Sequence, residues 1–194
     1  MKSKKIAILR KTLEFLTKNE DKKLTMSNVA KAIDIGKSTI YEYFENKDEM
    51  IKEALILMID ENCATIVDVE SAEANDFKSA FYLHMERAFM VTQQNYMMQH
   101  MQQNANLVAM PKRYKEEIKL KIVELLRASK ERMQSILVMG IEEGVIDELS
   151  SKERSITIEG LLLGSVLNSK NPLNEWRFED TIDDVYACLV LLHR

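Results

Sequence analysis

The segment KSTIYEYFENK, residues 37–47, concentrates side chains that can exchange hydrogen bonds with a polar ligand. In a helix, residues spaced by one, four and five positions share a face, so Lys37, Ser38, Tyr41 and Glu42 point the same way. Their ammonium, hydroxyl and carboxylate groups are suited to reading the edges of nucleic-acid bases in the major groove. The residue types therefore indicate a binding surface.

A second feature of this segment is a cation at the start of the next helix. Asn46 and Glu49 have the spacing of a capping pair, which predicts that a helix begins at Lys47. A lysine in the first turn opposes the helix dipole and costs about 0.3–1 kcal/mol at an exposed site. Its position is accounted for if an anion, such as a backbone phosphate, binds there.

The polar face of residues 37–44 is backed by an apolar one. Ile40 and Phe44 point away from the polar side chains, and Gly36 before them allows a close approach of the backbone. Such a short helix is suited to lying in a DNA major groove. The hydroxyls of Thr25 and the tyrosines, together with the Lys47 ammonium, would then bind phosphates on either side.

The elements that must position these residues are all predicted to be helical. Only seven residues are Gly or Pro, whereas twelve are Met, which favours helices over a sheet. Ile6, Leu9, Leu13 and Leu16 recur at helical spacing on the first element. We expect an all-α fold of about nine helices, most of which are visible in the pattern at residues 3–19, 26–33, 37–44, 47–69, 76–103, 112–143, 152–169 and 178–192. The second and third form a helix-turn-helix.

The charge is divided unevenly along the chain. Residues 1–47 hold eleven Lys/Arg and six Asp/Glu, a net charge of +5, whereas residues 48–194 have a net charge of −9. A basic N-terminal part on an acidic body indicates that only the first part meets a polyanion. We therefore predict a three-helix DNA-binding head at residues 1–47 and a helical ligand-binding and dimerisation domain at residues 48–194. The two join within one helix, without a flexible linker.

The sequence TMSNVAKAIDIGKSTIYEYFENKDEMI resembles the DNA-binding segment of the TetR family of bacterial transcriptional regulators. The resemblance covers about residues 6–55. It departs in the turn, where Asp34 and Gly36 stand in place of Gly and Ser. Because Asp tolerates left-handed backbone conformations, we expect the turn to be intact. The matching positions are Thr25, Val29, Ala30, Thr39, Ile40, Tyr41, Tyr43, Phe44, Lys47 and Met50.

The resemblance implies a cytoplasmic homodimer that represses transcription from a double-stranded DNA operator. In the family, a small inducer bound to the variable C-terminal domain usually moves the two DNA heads out of register with the operator. The residues predicted to contact DNA are Thr25, Lys37, Ser38, Thr39, Tyr41, Glu42, Tyr43 and Lys47.

Residues 88–111 contain no Asp, Glu, Lys or Arg but many Met, Gln and Asn. Methionine adapts to irregular shapes and is common in promiscuous pockets. This composition is consistent with the wall of an apolar cavity for a fairly large inducer, and equally with an ordinary core helix. The candidate ligand-binding residues are Tyr82, Met85, Phe89, Tyr96, Met97, Met101 and Met133.

The last two predicted helices have features of an interface. Gly160 and Gly164 are one turn apart, which permits close approach of another helix, and an apolar stripe follows the final helix. Two such helices from each subunit would form a four-helix interface. Packing within the subunit's own core is the alternative. The candidate interface residues are Gly160, Leu163, Gly164, Leu167, Ile182, Val185, Tyr186 and Leu189.

Other function classes receive little support from the sequence. The three histidines and two cysteines have no metal-binding spacing, and neither a phosphate loop nor a nucleophile elbow is present. We expect no catalytic residue, no metal, no cofactor and no membrane span. Two alternatives to the ligand-responsive repressor remain: a ligand-independent DNA-binding regulator acting with a protein partner, and a helical ligand-binding scaffold.

Overall fold

A computed structural model of the chain describes most of the 194 residues. The side chains of residues 93–100, within a described helix, lie outside this description. The described parts are residues 2–18, 23–67, 74–100, 105–147 and 177–191, with Thr157, Ile158, Gly160, Leu161 and Gly164.

The described residues contain eight continuous helices and no strand, which confirms the predicted all-α fold. Thr157, Ile158, Gly160, Leu161 and Gly164 are also helical, within the predicted helix 152–169. None of the described helices is long and apolar enough to cross a membrane. The eight helices are α1 (Lys2–Thr17), α2 (Met26–Ala32), α3 (Lys37–Tyr41), α4 (Lys47–Val67), α5 (Phe77–His100), α6 (Ala105–Ala109), α7 (Lys112–Glu142) and α8 (Phe178–Leu191).

The chain divides into two compact units whose boundaries cross helices α4, α5 and α7. The first unit contains residues 1–62 and 97–125, and the second contains residues 63–96 and 126–194. The predicted functional division into residues 1–47 and 48–194 stays a prediction, because it concerns function rather than compactness.

In the first unit, α1 packs on α2 and α2 packs on α3. The buried face of α1 includes Leu9 and Leu16 of the apolar pattern but not Ile6. Ile6 is 39% exposed, whereas Ile8 and Thr12 are fully buried. Thr12 is tolerated in the core because its hydroxyl donates a hydrogen bond to the Ile8 carbonyl at 2.8 Å.

The second unit has an apolar core in which α5, α7 and α8 meet. Phe77 and Phe81 of α5 are fully buried, and both rings lie against Tyr186 of α8, with ring centroids 5.7 and 5.9 Å from that of Tyr186. Gly140 of α7 faces the Phe77 ring so closely that a Cβ there would lie 2.8 Å from a ring carbon. The Glu143 carboxylate accepts a hydrogen bond from the Phe77 amide, which fixes the start of α5.

Candidate nucleic-acid interface

The helix-turn-helix is formed by α2, a tight turn and α3. The hydroxyl oxygen of Thr25 caps α2 by accepting a hydrogen bond from the Asn28 amide at 3.1 Å. In the turn, Asp34 adopts a φ of 55°, the left-handed conformation that its side chain tolerates. The amide of Ile35 bonds to the Ala30 carbonyl at 3.0 Å and closes the turn. The turn is therefore intact despite its departure from the TetR pattern.

The third helix has the two faces that the sequence predicts. Ile40 is fully buried and Phe44, just after the helix, is 1% exposed, so these two residues fix the helix on the head. The opposite face carries the predicted polar residues, which are all exposed: Lys37, Ser38, Tyr41 and Glu42. Tyr41 is 52% exposed although its ring is large and apolar. The structure therefore brings these four side chains together on an open surface.

The remaining predicted DNA contacts of the head differ in exposure. Thr39 and Tyr43 are half-buried, whereas Thr25 is exposed. The Tyr43 ring lies against Phe44 with centroids 6.4 Å apart. Because Thr25 uses its oxygen as an acceptor in the cap, its hydroxyl proton can still be donated to a phosphate.

The start of α4 carries the predicted cap and an interaction that the sequence did not predict. The Asn46 side-chain oxygen accepts from the Glu49 amide at 2.9 Å, and the Glu49 carboxylate accepts from the Glu45 amide at 2.7 Å. Half-buried Lys47 donates from its ammonium to Asn106 Oδ1 of α6 at 2.6 Å. The sequence gives no signal for this contact, since the two residues are 59 positions apart.

Helix α4 is tied to its neighbours in the first unit by charged side chains. On the α1 side, the Lys5 ammonium lies 2.6 Å from the Glu53 carboxylate and 5.4 Å from the centre of the Phe44 ring. On the α7 side, the Lys52 ammonium lies 3.1 Å from Glu117 and above the Tyr114 ring. These contacts join the head to α4 and α7 within the first unit.

The candidate ligand-binding residues that the structure describes lie in the second unit. Met85 and Met133 are 1% and 2% exposed and belong to its packed core. Phe89 stacks on Phe178 of α8, with ring centroids 3.7 Å apart. The Tyr82 hydroxyl donates to Asp183 at 2.6 Å, and burial together with this bond raises the pKa of Tyr82 to about 12. The side chains of Tyr96 and Met97, and all of Met101, lie outside the described residues.

His84 is a notable buried residue in the same unit. It is 5% exposed, and its Nδ1 has no hydrogen-bond partner among the described residues. Burial, together with the smaller effect of the nearby positive charges of Arg132 and Arg87, lowers the pKa of His84 to about 4.

The candidate interface residues are divided between the core and the surface. Ile182, Val185 and Leu189 of α8 are at most 6% exposed and pack in the core of their own subunit, and Tyr186 packs against that core. Their apolar stripe is thus accounted for without a partner subunit. Leu163 and Leu167 lie outside the described residues.

The two glycines of the candidate interface have a different environment. Gly160 is exposed and Gly164 is half-buried. A Cβ built on either one meets no atom of the described residues within 4 Å. The described structure therefore leaves space at both positions.

The arrangement of an exposed polar recognition helix after a tight turn defines a DNA-binding helix-turn-helix protein. Residues 8–54 match the family described as bacterial regulatory proteins, tetR family. The match covers nearly all of the segment in which the resemblance was predicted, residues 6–55, and confirms it. Residues 8–54 are therefore similar to the DNA-binding domain of the regulators in that family.

Solved structures support the fold over the whole chain. The fatty acid degradation regulator FadR from Bacillus halodurans is 20% identical, with a TM-score of 0.63 over 96% of this chain and 94% of that one. PfmR from Thermus thermophilus, a TetR family transcriptional regulator, is 20% identical, with a TM-score of 0.60 over 95% and 97%. FadR from Bacillus subtilis in complex with stearoyl-CoA is 19% identical, with a TM-score of 0.60 over 95% and 97%. No curated protein matches the chain in sequence.

Proposed function

We propose that this transcriptional regulator is a homodimeric repressor that binds an operator in the cytoplasm and releases it when a small-molecule inducer binds. The observation that carries the DNA-binding part is the exposed polar face of α3. Lys37 and Ser38 at its start are proposed to lie near base edges, and Tyr41 and Lys47 are proposed to hold phosphates. Thr25, Thr39, Glu42 and Tyr43 complete the surface.

The inducer is proposed to be large and mainly apolar, and to bind in the second unit. Tyr82 and Phe89 are half-buried and pack against the core of this unit, whereas Met85 and Met133 lie within that core. Tyr82 and Phe89 are therefore the described candidates for direct ligand contact. The bound stearoyl-CoA of Bacillus subtilis FadR supports a ligand with a long aliphatic part, since that protein has the same fold. An inducer there must bind the DNA-incompetent form better, and a coupling of about 1–3 kcal/mol weakens operator binding about 5–150-fold.

The close packing of Met85 and Met133 favours a second candidate, a ligand-independent regulator that acts with a protein partner. Adding long-chain acyl compounds to the operator complex separates the two. Displacement of the operator supports the inducer, and unchanged operator affinity across the series favours the ligand-independent regulator.

The test of DNA binding uses the Lys47→Ala variant. Each lost phosphate contact removes about one released counterion, so the slope of log affinity against log salt should fall by about 1 per bound subunit. Affinity near 0.1 M salt should fall several-fold to about tenfold per subunit, to a similar extent for different duplexes. Fluorescence anisotropy with labelled duplexes at several salt concentrations measures both quantities.

Lys119→Ala is the matched control, because Lys119 is an exposed lysine of α7 outside the head. It should leave affinity and salt slope unchanged. If Lys47→Ala binds duplexes with the wild-type affinity and slope, Lys47 holds no phosphate.

A further inference from the structure

The Lys47 ammonium is held by a residue from a distant part of the chain. Lys47 starts α4, where its charge opposes the helix dipole, and its Nζ donates to Asn106 Oδ1 at 2.6 Å. Asn106 is only 7% exposed although its side chain is polar. A buried amide of this kind is retained where its hydrogen bonds are satisfied, and the ammonium supplies one of them.

The chemistry of this contact leaves the lysine charged and able to bind further. An amide oxygen is neutral, so it accepts a hydrogen bond without cancelling the positive charge, unlike the carboxylates that pair with Lys5 and Lys52. An ammonium has three donors, and Asn106 accepts from one of them. Within the part of the chain that the structure describes, two donors and the full charge therefore remain for an anion at the start of α4.

The position of Asn106 is itself fixed by short-range contacts in the same unit. Helix α6 is followed by the buried residues Met110 and Tyr114, which are 3% and 6% exposed. The Lys115 ammonium donates to the Val108 carbonyl at 2.8 Å, and this bond ties the end of α6 to α7. The amide oxygen that receives Lys47 is thus placed by α6 and by the first turns of α7.

We propose that Asn106 is a positioning residue for DNA binding: it orients the Lys47 ammonium toward a backbone phosphate and leaves its charge intact. This inference rests on the proposed phosphate contact of Lys47. A lysine side chain loses much rotational freedom when it binds, and Asn106 removes part of that freedom before DNA arrives. The α6 segment, between α5 and α7, thereby influences operator affinity through one hydrogen bond.

Two substitutions at Asn106 have different expected effects. Asn106→Ala removes the positioning but keeps the lysine charge, so affinity should fall about threefold to tenfold while the salt slope stays that of the wild type. Asn106→Asp, which has nearly the same shape, pairs Lys47 with a carboxylate and competes with the phosphate. Affinity should then fall further, and the slope should fall by about 1 per subunit, as for Lys47→Ala.

The control for added negative charge is Val108→Asp. Val108 lies two positions along the same short helix, on another side, and is 60% exposed. The Val108→Asp variant should reduce affinity for duplex DNA less than Asn106→Asp does, and should leave the salt slope close to the wild-type value. In the Lys47→Ala background, Asn106→Ala should have no additional effect on affinity, because the group that it positions is missing.

The experiment is a salt titration of duplex binding by the wild type, the single variants and the Lys47→Ala/Asn106→Ala double variant. The positioning role is supported if the effects of Lys47→Ala and Asn106→Ala on affinity are not additive in the double variant. It also requires a wild-type salt slope for Asn106→Ala and a reduced slope for Asn106→Asp. Additive effects, or a wild-type slope for Asn106→Asp, overturn it while the phosphate contact of Lys47 stands. A wild-type protein that binds no duplex overturns the proposed function and this inference together. Asn106→Asp keeps the test decisive if Asn106→Ala does not fold.

Discussion

Acidification from pH 6.5 to pH 4 should lower the free energy of unfolding of the wild-type protein by about 3 kcal/mol more than it lowers that of a His84→Leu variant. The cause is the burial of a neutral imidazole in the second unit. The pKa of His84 is lowered to about 4 in the folded protein, mainly by burial. In the unfolded chain the imidazole has its ordinary pKa of about 6.5.

The sign follows from where the proton binds. Between pH 6.5 and pH 4 the unfolded chain takes up a proton at His84, whereas the folded protein does not. The unfolded state is therefore favoured by about 1.4 kcal/mol for each pH unit, and the loss levels off below pH 4. Above pH 6.5 both states are neutral at His84, and the full stability is present.

Urea denaturation at pH 7, 6, 5 and 4.5 measures the effect. Carboxylates titrate in the same range, so the informative quantity is the difference between the wild type and His84→Leu at each pH. That difference should shift steadily in favour of the variant as the pH falls. Parallel stability curves would mean that His84 becomes protonated in the folded protein with an ordinary pKa.

A carboxylate placed at Gly164 should convert the proposed dimer to monomers without unfolding the subunit. A Cβ at Gly160 or Gly164 meets no atom of the described residues within 4 Å, so the isolated subunit should accommodate Gly164→Glu. If a partner helix packs there, the same side chain buries an unpaired charge. A cost of about 3–5 kcal/mol would weaken dimerisation at least a hundredfold.

Sedimentation velocity over a range of concentrations measures the dimer, and circular dichroism checks the fold. Gly160→Glu should have the same effect, since the two glycines are one turn apart. Ala7→Glu is the control, because Ala7 is exposed on α1 in the other unit, and it should sediment as the wild type does. A Gly164→Glu dimer of wild-type strength would exclude Gly164 from the interface.

The sequence predicts the head well because its structure is encoded locally. The cap at Asn46, the buried pair Ile40 and Phe44, and the left-handed turn at Asp34 each depend on residues within a few positions. Helix period, capping chemistry and backbone preference suffice for such features. The exposed face of α3 follows directly from them.

The features that the sequence did not predict depend on distant partners or on satisfied polar groups. Thr12 occupies the core because its hydroxyl bonds to its own helix, which hydrophobic spacing does not show. Periodicity also identifies the stripe of Ile182 and Val185 without telling whether their own subunit or a second one covers it. The bond from Lys47 to Asn106 is of the same kind, since no local pattern relates residues from separate helices.

Selection of bound duplexes from a random pool tests the central claim most directly, namely that the α3 face recognises a specific DNA sequence. The account predicts that the pool converges on one motif with two related half-sites, spaced to suit a symmetric dimer. It also predicts that a Lys37→Ala/Tyr41→Ala variant, which lacks two exposed groups of that face, fails to enrich this motif. A pool that stays random with the wild-type protein, or an equal enrichment by the variant, would contradict it.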